Sequence, residues 1–136
     1  MTPVEALAFL AENPRAVLAT HRADGMPQMS PVLATSDAEG RVLVSSRETA
    51  VKVKNLRRDP RVSMVVLNEG FFGGWAQVEG TAEIVSLPAA MPVLIDYYRR
   101  LSGEHPDWDE YRADMATQRR VVIRFAVTRA GPTVSG

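Results

Sequence analysis

The chain has 136 residues, enough for one domain around a single core, and 46% of them are apolar. Sixteen cations balance sixteen anions and cysteine is absent, which excludes disulfides, thiolate metal sites and cysteine nucleophiles and removes the basic excess usual in nucleic-acid binders. No stretch is apolar and long enough to span a bilayer, and "MTPVEALAFLAENPR" lacks the build of a secretory signal; the expectation is a cytoplasmic protein with no nucleic-acid or membrane partner.

"TPVEALAFLAEN" reads as a helix, with Thr2 as N-cap, Pro3 at the first position and Glu5 completing a capping box. Asn13-Pro14 ends it. Strand-like runs follow at 15–21, 28–36 and 41–46, separated by the turns "RADGMP" and "DAEG". The next piece, "SRETAVKVKNLRRDPR", predicts a helix capped by Thr49 or Ser46 and stopped at Asp59-Pro60, with Ala50, Val53 and Leu56 on its packing face. A buried strand is expected at 61–67, then the glycine-rich turn "NEGFFGG", then a long alternating strand at 75–86. The FFGGW turn reads either as a tight hairpin with its aromatics folded inward, or as a lip over a pocket or a dimer contact. Two helical pieces broken at Gly103–Pro106 precede a closing strand at 119–130. Asp107 and Glu110 form a capping pattern for the second piece, which packs through Trp108, Tyr111 and Met115. Six strands at hairpin spacing predict a mainly β (α+β) domain over residues 1–136: a six-stranded antiparallel barrel with flanking helices.

Residues 46–61 hold Arg47, Lys52, Lys54, Arg57, Arg58 and Arg61 against only Glu48 and Asp59, and both lysines of the chain are among them. Such a run is either a solvated helix face or an anion site. The strand before it ends in Ser45-Ser46. Small hydroxyls, free amides, a helix N-terminus and a lysine in the first turn together suit a phosphate. His21 and His105 have no second ligand at metal-binding spacing, and no nucleophile–base pair is evident, so neither metal nor catalytic side chains are assigned.

The combination of "NLRRDPR", "VEGTA" and "GEHPDWDEYR" resembles the pyridoxamine-phosphate-oxidase-like split β-barrel family, in an actinobacterial branch of flavin/deazaflavin oxidoreductases that use coenzyme F-420 rather than FMN. The resemblance implies a homodimer with two cofactor sites at the interface. It implies a phosphate held at Ser45, Ser46 and Lys52, and a ring lying along Gln28, Met29, Ser30, Pro31 and Val32. Relatives often carry an arginine where Ala50 stands, which would shift its work to Lys54 or Arg57; Trp75 would wall the ring pocket or the substrate entrance. The implied activity is hydride transfer between the reduced deazaflavin and a small conjugated acceptor, a chemistry carried by the cofactor while the protein orients it. Six cations suit the phospholactyl-polyglutamate tail of the deazaflavin better than the one phosphate of FMN. Alternatives are an FMN-dependent oxidase or reductase, and a non-catalytic carrier or haem-binding barrel.

Overall fold

The Thr2 hydroxyl accepts from the Glu5 amide and the Glu5 carboxylate accepts from the Thr2 amide, so helix α1 runs Pro3–Glu12 as its capping box dictates. The computed structural model describes residues 1–132. Strands β1 (Arg15–His21), β2 (Pro27–Ser36) and β3 (Arg41–Arg47) follow, then helix α2 (Val51–Arg58) and strand β4 (Arg61–Leu67). Neither Thr49 nor Ser46 caps α2. Ala50 stands at the N-cap and no side chain covers the first turn. Ser46 is still part of β3, and Thr49 is held in a turn closed by the Ala50 amide on the Arg47 carbonyl (3.0 Å).

Among the described residues the sheet has eight strands rather than the six that hairpin spacing predicts, because the last two long runs each break at a corner. The run at 75–86 divides into β5 (Trp75–Thr81) and β6 (Glu83–Val85); the run at 119–130 divides into β7 (Arg120–Ala126) and β8 (Arg129–Gly131). Strand order is β6-β7-β3-β2-β1-β4-β5-β8, with every pairing antiparallel. At Ala82 the chain leaves β4 and joins β7; at 127–128 it makes the reverse move, from β3 to β5. Alternation of buried residues runs unbroken through Ala76, Val78 and Ala82, so periodicity alone cannot see the corner.

The two corners cross at Gly80. A Cβ there would overlap the Ala126 carbonyl oxygen and come within 2.8 Å of the Phe125 ring. The Thr128 amide and hydroxyl both donate to the Glu79 carbonyl at 2.9 and 3.1 Å, which fixes the crossing. This closes the sheet around a core that includes Leu18, Val44, Met64, Val66, Ile123 and Phe125.

Helices α3 (Ala90–Ser102) and α4 (Trp108–Thr117) lie outside the barrel, over a second, smaller core of Leu43, Val122, Leu94 and Tyr111. The break between them falls where the sequence predicts it, with Gly103 at φ +80°. Asp107 caps α4 by accepting from the Glu110 amide (3.1 Å), and Trp108, Tyr111 and Met115 form its packing face. His105 sits among Tyr98, Trp108 and Tyr111, and its Nδ1 accepts from the Asp107 amide (2.9 Å). The aromatics of the 70–74 turn are not folded inward: Phe71 and Phe72 are 60% and 93% exposed.

The buried Tyr111 hydroxyl donates to the Leu94 carbonyl at 2.9 Å, and burial pushes the phenol up to about 12. Tyr111→Phe removes this bond while the Leu94 carbonyl keeps its partner within α3, and urea denaturation should show a loss of about 0.5–1.5 kcal/mol. Because the folded pKa is raised, the benefit is fully present below the ordinary tyrosine range. It fades as pH climbs from about 10 towards 12, so the wild-type advantage should shrink there.

Candidate functional site

Strand β2 is too long for one partner. It pairs with β1 from Pro27 to Leu33 but with β3 only from Ala34 to Ser36. The end of β3, Ser45–Arg47, continues along β7 instead. A cleft therefore opens between the first half of β2 and the end of β3. Tyr97 of α3 sits at its head: its hydroxyl donates to the Leu33 carbonyl at 2.8 Å and lies against the Ser45 amide. Burial holds this phenol above its usual range.

Three cations gather at the β3 end of the cleft. Arg47 and Arg120 are direct partners in the β3–β7 register, and Lys52 occupies the uncapped first turn of α2. Burial pushes the Lys52 ammonium below its ordinary pKa and the Arg120 charge pushes it further; Arg120 is lowered by its own burial and then by Arg47. Among the described residues no carboxylate forms an ion pair with any of the three. Mutually repelling cations without a counterion, Lys52 and Arg120 half-buried and Arg47 exposed, fit an anionic group such as a flavin or deazaflavin tail carries.

The three other arginines of the basic run are already committed. Arg57 pairs with Glu48 at 2.8 Å and donates to the Ser86 hydroxyl at 3.2 Å. Arg58 donates to the His21 carbonyl and to Asn55, and Arg61 pairs with Asp59 at 2.7 Å. Lys54 is exposed. Arg57, to which the work of an arginine at Ala50 would shift, is held by Glu48, whereas Arg47 and Arg120 have no ion-pair partner among the described residues. Only the β3–β7 pairing brings Arg120 to α2, and its one signal in the sequence is "RR" opening the last strand with no acid beside it.

Several predicted neighbours are separated. Ser45 and Ser46 point to opposite faces of β3: Ser46 is 5% exposed and faces the core, whereas Ser45 shares its face with Arg47. Ser45 is thus the hydroxyl that shares a face with the cations. In β2, Gln28, Ser30 and Val32 share one face, while Met29 and Pro31 lie on the other. Ser30 Oγ is buried without a hydrogen-bond partner, an orphan that a bound polar group would satisfy. Met29 is 63% exposed and lies beside Val17, Ala19 and Val65 on an apolar outer face of the sheet. Trp75 opens β5, with β1 and β4 between it and β2, so within one chain it does not reach the cleft.

The family described as pyridoxamine 5'-phosphate oxidase matches residues 2–133. Among solved structures, a conserved hypothetical protein of Mycobacterium tuberculosis is 26% identical at a TM-score of 0.77, the match covering 100% of this chain and 93% of that one. An F-420 reductase is also 26% identical, at a TM-score of 0.67 over 90% of this chain and 93% of that one. A heme binding protein of Mycobacterium smegmatis shares the fold at 20% identity and a TM-score of 0.71, over 94% of this chain and 52% of that one.

Proposed function

The chain belongs to the pyridoxamine 5'-phosphate oxidase family, and on that premise we propose that it is an oxidoreductase using the deazaflavin coenzyme F-420 to exchange hydride with a small conjugated acceptor. The observation that carries this reading is the unpaired trio Lys52, Arg47 and Arg120 beside the cleft. Three cations exceed what one phosphate requires and suit a tail with several negative charges. The 26% identity to an F-420 reductase supports the same choice. When bound, the deazaflavin supplies the hydride chemistry. The chain's own groups hold its tail at Lys52, Arg47 and Arg120 with Ser45 on the same face, and the ring passes through the gap between β2 and β3 to meet Gln28, Ser30 and Val32 on the core-facing side.

The test is a titration with coenzyme F-420 and with FMN, followed by fluorescence quenching. Micromolar binding of the deazaflavin with weaker FMN binding supports the reading. Tight FMN binding without deazaflavin binding overturns the cofactor choice in favour of an FMN-dependent enzyme. Tight binding with no turnover across an acceptor panel favours a carrier.

The apolar outer face around Val17, Ala19, Met29 and Val65 is where we place a second copy of the chain, and Met29 and Pro31 then belong to that interface rather than to the ring. Light scattering should give about twice the 14.9 kDa chain mass. Val17→Glu puts a charge in the middle of this face and should shift the mass towards the monomer. A wild-type mass of one chain sinks the homodimer.

A further inference from the structure

Four side chains from α2, β1 and β2 form one hydrogen-bonded row. Arg58 Nη2 donates to the His21 carbonyl (2.6 Å) and to Asn55 Oδ1 (3.2 Å). Asn55 Nδ2 donates to Thr20 Oγ1 (3.1 Å), and the Thr20 hydroxyl donates to Gln28 Oε1 (2.7 Å). Thr20 and Asn55 are 1% and 5% exposed, so bulk water does not compete for the middle of the row.

The row has only one consistent sense. A guanidinium donates and never accepts, so Asn55 must turn its oxygen to Arg58 and its NH2 to Thr20. The Thr20 oxygen accepts there, and its single proton is left for Gln28. Gln28 therefore meets Thr20 with its carbonyl oxygen. Its NH2 group faces away from Thr20 and, among the described residues, has no protein partner. On the same face of β2, two residues along, stands the orphaned Ser30 hydroxyl.

We propose that Arg58, Asn55 and Thr20 are positioning residues that lock the Gln28 side chain as a hydrogen-bond donor, and that this NH2 group recognises a carbonyl oxygen on the edge of the planar ring held in the cleft. The inference rests on the functional reading above and deepens it. A cation on the surface of α2 sets the polarity of an amide on the far side of β1. A ring edge presenting a carbonyl is accepted; an edge presenting its own N–H at that point leaves two donors opposed and is rejected.

Three variants test it. Thr20→Val keeps the shape and removes the hydroxyl, Thr20→Ser keeps the hydroxyl, and Asn55→Asp reverses the row. In Asn55→Asp the carboxylate accepts from both Arg58 and Thr20, the Thr20 oxygen then accepts from Gln28, and Gln28 turns its oxygen outward. In the cofactor-free protein, NMR should show no contact between the Gln28 amide protons and Thr20 in wild type, and a clear one in Asn55→Asp. With the deazaflavin bound, the wild-type shift of the ring's visible absorption band should persist in Thr20→Ser and be lost in Thr20→Val and Asn55→Asp. Affinity should drop about tenfold in the latter two, the effect of one lost charge-free hydrogen bond in a desolvated site. Wild-type spectra and wild-type amide contacts in both Thr20→Val and Asn55→Asp overturn the proposal. Binding of neither cofactor overturns the function above and with it the ring contact, while the amide orientation still stands or falls on the NMR contacts.

Discussion

Lys52→Ala should raise the dissociation constant for the deazaflavin coenzyme by about ten- to a hundredfold, the equivalent of one charge-assisted hydrogen bond. The reason is where the lysine sits. It projects from an uncapped helix start into a half-buried corner already occupied by two arginines, where its charge is disfavoured until an anion arrives. Lys54, two residues on, is exposed to water, and Lys54→Ala should change the constant by less than about threefold, as expected of a screened surface charge. Fluorescence titration of both variants checks the pair. Equal effects at the two lysines would reduce the site to a diffuse positive field. The pH dependence follows with a definite sign. Because the free Lys52 loses its proton below the ordinary lysine value of 10.5, binding should start to weaken with rising pH before that value is reached. Lys52→Ala should flatten this part of the profile.

Gly80→Ala should cost about 3 kcal/mol, at the upper end for overpacking, because the added carbon meets a backbone carbonyl rather than the tip of a flexible side chain. Both corners of the barrel pass through this point, so relief would require moving β5 away from β7. With a slope of about 2 kcal/mol per molar in urea, the unfolding midpoint should fall by roughly 1.5 M. Thr81→Ala, exposed at the end of the same strand, should move it by no more than about 0.3 M. A Gly80→Ala midpoint equal to wild type would mean that the corners are not in contact.

The helices were legible because their signals are local: Thr2 with Glu5, and Asp107 with Glu110, lie three residues apart and act within one turn. The strand corners were not legible. A chain that passes from one sheet to the next keeps its inward side chains inward, so 75–86 reads as one strand although Ala82 divides it. The candidate site shows the same contrast. Lys52 could be found from the strand end and helix start around it, whereas Arg120 enters only through the pairing of β3 with β7. The two serines teach the opposite lesson. A period of two already places Ser45 and Ser46 on opposite faces, and likewise Gln28 and Met29, so that only a ligand reaching both faces of a strand touches adjacent residues. Asn55 stood in plain view inside "NLRRDPR" without any sign that it reaches Thr20, because that contact joins elements far apart in the chain.

The crossing at Gly80 also dictates an order of events during synthesis. β7 lies between β6 and β3, and β8 lies against β5, so the outer edges of β3 and β5 stay bare until residues 120–131 have left the ribosome. Until then the nascent protein carries two unprotected edges, of the kind that recruits other strands. The two corners that make the barrel rigid once closed are also what make it vulnerable to aggregation while it is being made.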